Sequence, residues 1–129
     1  MSLQSLYIAR TEETPEVDFN TETRVFLIKG RSLPEDAFSF YTPLIEWLED
    51  YCKQLSGEVE IQIHLDYFNS SSGRYLMDML CKLESLLEPN QLIRVAWVAE
   101  KDDEDMLEKG EEIMSLIKLP FKMKVIPSR

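Results

Sequence analysis

Hydrophobic and polar positions alternate almost perfectly from residue 59 to 68. Val59, Ile61, Ile63, Leu65 and Tyr67 point one way, and Glu60, Gln62, His64 and Asp66 the other. This is the period of a half-buried strand. A strand covered on both faces would read as one continuous apolar run, so helices are expected mostly on one face of the sheet. Other runs punctuate the chain. Residues 3–9 and 16–20 read as strands joined by a turn over 11–14. Val25 to Ile28 form a strand closed by Gly30, and Ile93 to Ala99 and Phe121 to Val125 two more.

Helical spacing fills the gaps. Pro34 with Glu35 and Asp36 suits a helix start, and Pro43 predicts a break into a short turn at 34–40 and a helix over 43–55. Leu44, Leu48, Tyr51 and Leu55 share a face of it. Leu76, Met79, Leu80, Leu83, Leu86 and Leu87 mark a helix over 71–88. Met106, Gly110, Ile113 and Ile117 mark a third, begun by Asp102 to Asp105. The order, an N-terminal hairpin followed by βαβαβαβ, predicts one α/β domain over residues 1–129. Its mixed sheet is expected to have four or five strands, parallel at its core, with three helices mostly on one face.

Composition narrows the function. The chain has 129 residues, 14 basic and 24 acidic, and a net charge of −10. Such a balance excludes a general nucleic-acid binder, which needs clustered Lys and Arg, and adsorption to an anionic membrane. No apolar run is long enough to span a bilayer and no secretory signal is visible, so a cytoplasmic location is expected. Cys52 and Cys81 lie far apart within helical segments and read as buried free thiols. His64 stands alone, without the partners a zinc site needs. No phosphate-cradling glycine motif is present, and no cofactor is expected.

Two stretches carry candidate chemistry. The acids at 102–105 read as a capped helix start, a protein-docking face or a divalent-cation site; the last would make the chain a small metal-binding enzyme. Asn69-Ser70-Ser71-Ser72-Gly73 reads as a helix cap, in which case the chain is a plain scaffold subunit. The cap is the favoured reading from the residues alone; the alternative is a phosphoacceptor segment, because a phosphate at a helix start meets free amides and the positive dipole end.

Four blocks in order resemble the SiaC-type bacterial regulatory phosphoproteins. They are Gly30-Arg31-Ser32-Leu33-Pro34-Glu35-Asp36-Ala37, then Phe40-Tyr41-x-Pro43 with Trp47-Leu48, then Tyr67-Phe68-Asn69-Ser70-Ser71-Ser72. Trp97 with Asp102-Asp103-Glu104-Asp105-Met106-x-Glu108-x-Gly110-Glu111 completes the set. That family is similar to the STAS domains of anti-sigma factor antagonists, in which a serine after the central strand is phosphorylated. The resemblance implies a STAS-like fold and a non-catalytic partner switch. A Ser/Thr kinase with a histidine-kinase-like ATPase domain would modify the chain and a PP2C-type phosphatase would reverse this. The unmodified form would bind and activate a diguanylate cyclase, promoting aggregation or biofilm growth through cyclic di-GMP. The family has threonine after the asparagine, where this chain has Ser70. That alignment makes Ser70 the phosphoacceptor, while alignment on the STAS glycine makes it Ser71. Tyr67, Phe68, Asn69 and Arg74 would frame the partner-binding surface.

Overall fold

The computed structural model describes residues 3–128. In chain order its elements are β1 (Leu6–Ile8), β2 (Glu16–Asn20), β3 (Val25–Ser32), α1 (Ala37–Gln54), β4 (Gly57–Phe68), α2 (Ser70–Leu86), β5 (Gln91–Glu100), α3 (Glu104–Leu116) and β6 (Phe121–Ile126). The strands form one six-stranded sheet in sequence order, where four or five were expected. The hairpin strand read over residues 3–9 is shorter than expected, β1 covering Leu6–Ile8, and it joins the same sheet as its outermost strand. β1, β2 and β3 run antiparallel, and β3 to β6 are parallel.

Each helix links strands that lie side by side, and every step moves across the sheet in the same direction. Right-handed crossovers with that progression put all three helices on one face. The register shows the division. Phe19, Phe26, Ile61, Val95 and Phe121 form a row across five strands, and Val17, Ile28, Ile63, Trp97 and Met123 form the next. Both rows belong to the core under the helices. The opposite face carries rows such as Asp18, Leu27, Gln62, Ala96 and Lys122, the polar side that the alternation of β4 required.

Two local readings change. α1 does not break at Pro43; it runs unbroken from Ala37 to Gln54. Proline removes one amide donor and crowds the preceding turn. Buried Ala37 and Tyr41 before it, and Leu44, Leu48 and Tyr51 after it, nevertheless hold both parts of α1 on one core face. The Asp36 side chain caps the start by accepting the Ser39 N–H at 3.1 Å and the Ser39 hydroxyl at 2.7 Å. The second change is a bulge. Gly30 pairs with Leu65 but Arg31 with Tyr67, so Asp66 is an extra residue on β4. A bulge reverses the alternation beyond it. Tyr67, read as inward-facing, is 47% exposed, and Phe68 is buried at 6%. Both features lie at the end of the sheet that carries the candidate site.

Candidate functional site

The hydroxyl-rich segment forms the junction between β4 and α2, at the C-terminal ends of the parallel strands. Ligands and partners commonly meet open α/β sheets at this end. Asn69 is the N-cap, in extended conformation, and its Oδ1 accepts the Ser72 N–H at 2.9 Å. Its backbone N–H donates to the Ser32 carbonyl at 3.1 Å, tying the junction to the end of β3. Short polar side chains suit this position because an orphan amide of the first turn needs an acceptor.

The three consecutive serines have different environments. Ser72 is fully buried, as is Ser32. The Ser32 hydroxyl donates to Ser72 Oγ at 2.8 Å, and the Ser72 hydroxyl donates to the Ser32 carbonyl at 3.0 Å. Tyr41 Oη lies 2.5 Å from Ser32 Oγ. A hydroxyl has one proton to give, so Tyr41 is the donor in that pair. The chain Tyr41 to Ser32 to Ser72 to the Ser32 carbonyl joins α1, β3 and α2 in the interior. Burial raises the Tyr41 phenol above its ordinary range, with the Ser32 and Ser72 hydrogen bonds pulling the other way. Ser70 and Ser71 are exposed in the first turn of α2. Among the described residues neither side chain makes a hydrogen bond.

Beneath the serines lies a packed aromatic floor. A Cβ on Gly73 would come 3.0 Å from Phe68 Cε2, so the glycine lets the first turn of α2 lie against the ring. Phe68 meets Trp97 edge-on at 5.9 Å, and the Lys109 ammonium sits 4.5 Å from the Phe68 centroid and 5.7 Å from that of Tyr67. Tyr41 stacks on Tyr75 at 5.9 Å.

The structure brings Tyr67, Asn69, Ser70, Ser71 and Arg74 to one end of the molecule. Tyr67 and Arg74 are exposed, and Asn69 is half-buried with its side chain committed to the cap. Phe68 is a correction: the bulge turns it inward, where it supports α2 and offers a partner no exposed ring. Ser32, Tyr41 and Gly73 were not anticipated as part of the site. Their signal was phase. Ser32 falls on the inward alternation of Phe26 and Ile28, and Tyr41 on the buried stripe of Leu44 and Leu48, so both hydroxyls had to find partners in the core.

The acidic run is taken up locally. Asp103 caps α3 by accepting the Met106 N–H at 3.1 Å, Glu104 and Asp105 lie in its first turn, and Asp105 pairs with Lys109 at 3.1 Å. Among the described residues no three His, Cys, Asp or Glu side chains converge as ligands. Cys52 is buried, and burial, then Glu49, pushes its thiol up. Cys81 is exposed, not buried as expected, because it lies off the core stripe of α2.

A family model described as the SiaC family regulatory phosphoprotein matches residues 8–126. The chain belongs to the SiaC family of regulatory phosphoproteins. An uncharacterized protein of Pseudomonas aeruginosa (strain UCBPP-PA14) is 25% identical over 119 residues, spanning 92% of this chain and 94% of that one. The structure of SiaC of Pseudomonas aeruginosa superposes with a TM-score of 0.86 at 22% identity, covering 96% of this chain and all of the other. SiaC has also been solved in complex with the diguanylate cyclase SiaD, whose activator it is. That SiaC is 25% identical with a TM-score of 0.87, covering 94% of this chain and 99% of that one. Family membership assigns this chain a regulatory role with a phosphorylated form. Among the described residues no helix is long and apolar enough to cross a membrane.

Proposed function

We propose that this chain is a single-domain, non-catalytic phospho-switch. A Ser/Thr kinase with a histidine-kinase-like ATPase domain phosphorylates Ser70, and a PP2C-type phosphatase removes the phosphate. The unmodified chain binds and activates a diguanylate cyclase in the cytoplasm. The observation that carries this reading is the sorting of the serines: Ser72 is sealed in a buried hydroxyl chain, and Ser70 and Ser71 stand exposed on a rigid first turn. Ser70 is preferred because it directly follows the capping asparagine, the place of the family's threonine. The solved SiaC–SiaD complex supports a cyclase as the output partner.

A phosphate at Ser70 would sit by the free amides and positive end of α2, where negative charge is stabilised, so the fold accommodates it. The added charge of about −1.5 to −2 lands on the docking surface and changes what that surface can bind. The test is phosphopeptide mapping of the full chain after treatment with the kinase and ATP, followed by cyclase assays with each form. One phosphate on Ser70, absent from Ser70→Ala, and stimulation of the cyclase by the unmodified form alone are expected. A phosphate retained in Ser70→Ala would move the site, and equal stimulation by both forms would remove the switch.

A further inference from the structure

One arginine stands beside the exposed serines. Arg74 is exposed on α2 four residues after Ser70, so the two side chains lie along one strip of the helix surface. Arg31 is exposed near the end of β3. Its side chain alternates with that of inward-facing Ser32 and lies with Arg10, Thr11 and Glu12, away from α2. Neither guanidinium makes a hydrogen bond or ion pair among the described residues. Lys109, the cation over the Phe68 and Tyr67 rings, is committed to Asp105 at 3.1 Å. The chain carries 24 acids against 14 bases, yet the first turn of α2 has no acid. Exposed Ser70 and Ser71 thus share their stretch of helix surface with one unpaired guanidinium, that of Arg74.

We propose that Arg74 is the residue through which phosphorylation of Ser70 is read. In the unmodified chain its guanidinium receives a carboxylate of the cyclase partner, and in the modified chain the Ser70 phosphate takes it. The inference rests on Ser70 being the phosphoacceptor. An anion four residues before a cation is the favoured orientation on a helix. A guanidinium also presents two parallel N–H donors to a phosphate, which a carboxylate on another molecule must match from solution. The phosphate is tethered at high effective concentration, so it wins the competition.

The decisive measurement uses the full chain with phosphoserine installed at position 70 by codon suppression, which requires no kinase. In a ³¹P NMR titration the second phosphate ionisation should lie below its ordinary value of about 6. Arg74→Ala should raise it by about half a unit or more, as loss of an adjacent opposite charge does. Arg74→Lys should restore part of the shift, because an ammonium keeps the charge without the fork. In binding assays with the purified cyclase, unmodified Arg74→Glu should bind about tenfold more weakly, and phosphoserine should weaken that variant much less than the wild type. Identical phosphate titrations in wild type and Arg74→Ala, or undiminished binding of unmodified Arg74→Glu, would overturn the proposal. Either result in a wild type whose binding still responds to phosphoserine leaves the switch intact and removes only Arg74's role. A wild type insensitive to phosphoserine, or never modified at Ser70 by the kinase, brings down both readings.

Discussion

Ser72 is kept out of the surface chemistry by what it touches. It accepts from Ser32, donates to the Ser32 carbonyl, and its amide is held by Asn69. Tyr41→Phe should remove the one donor that reaches Ser32 Oγ while leaving the ring packing in place. The expected cost is about 1 kcal/mol, seen as a lower urea midpoint at unchanged slope. The same variant tests a pH effect. The Tyr41 phenol is raised from its ordinary 10.0 mainly by burial, so the folded state holds that proton longer than the unfolded chain does. Its contribution is complete below the ordinary value and is lost as pH climbs towards the raised one. Exposed Tyr7 moves the same way through Glu16, so the comparison of wild type with Tyr41→Phe isolates Tyr41. The wild type should lose stability more steeply in urea titrations above pH 10, and equal slopes would contradict the assignment. Gly110 makes a second residue-level case. A Cβ there would lie 2.6 Å from Trp97 Cδ1 and 2.8 Å from Met123 Sδ, and Trp97 is anchored by donating to the Met106 carbonyl at 3.0 Å. Alanine normally strengthens a helix relative to glycine. Here overpacking dominates, and Gly110→Ala should cost about 1–3 kcal/mol by chemical denaturation.

At the level of elements, the first turn of α2 depends on its cap. Asn69→Ala removes the acceptor for the Ser72 N–H, which should cost about 1 kcal/mol and loosen the turn that carries Ser70 and Ser71. Amide hydrogen exchange should speed up at residues 71–73 with little change in β4. Unchanged protection there would show that the buried hydroxyls alone hold the turn. This cap was legible in the sequence, since Asn69 followed an alternating strand and preceded a helical stripe. So were the hairpin, the parallel crossovers and the one-sided sheet, because periods of 2 and 3.6 residues depend only on which face is buried. What escaped was decided by contacts distant in sequence. Pro43 broke the local pattern, and only packing of Tyr41 and Leu44 on the same core face keeps α1 whole. The bulge at Asp66 is fixed by pairing with β3. No periodicity within β4 could report it, so Tyr67 was placed with the inward-facing residues and Phe68 on the partner-binding surface. The hydroxyl chain joins residues 32, 41 and 72 for the same reason.

At the scale of the whole molecule, the contacts that fold the chain lie apart from the surface proposed to switch it. The core rows of the sheet, the aromatic floor of Phe68 and Trp97 and the hydroxyl chain all lie beneath the surface that carries Ser70, and none uses the Ser70 side chain. Substitutions at such exposed positions usually change stability by about 0.5 kcal/mol or less. A phosphate added there joins the positive end of α2 and does not enter the core. The stability of Ser70→Ala, Ser70→Glu and the phosphorylated chain should therefore stay close to that of the wild type in thermal melts. Binding should behave differently. Losing interface contacts while placing a charge against a partner costs about 2–5 kcal/mol, or roughly 30-fold or more in affinity. Ser70→Ala should hold the cyclase as the unmodified chain does and resist the kinase. Ser70→Glu should weaken it only partly, because a carboxylate has less charge and fewer acceptor oxygens than a phosphate. Calorimetric titration of each form against the cyclase, set beside its melting temperature, separates the two effects. If affinity falls only in forms whose melting temperature falls with it, phosphorylation acts by unfolding the junction. If affinity falls at constant melting temperature, the charge at Ser70 acts on the surface alone, the outcome expected where the modified hydroxyl stands outside every contact that builds the fold.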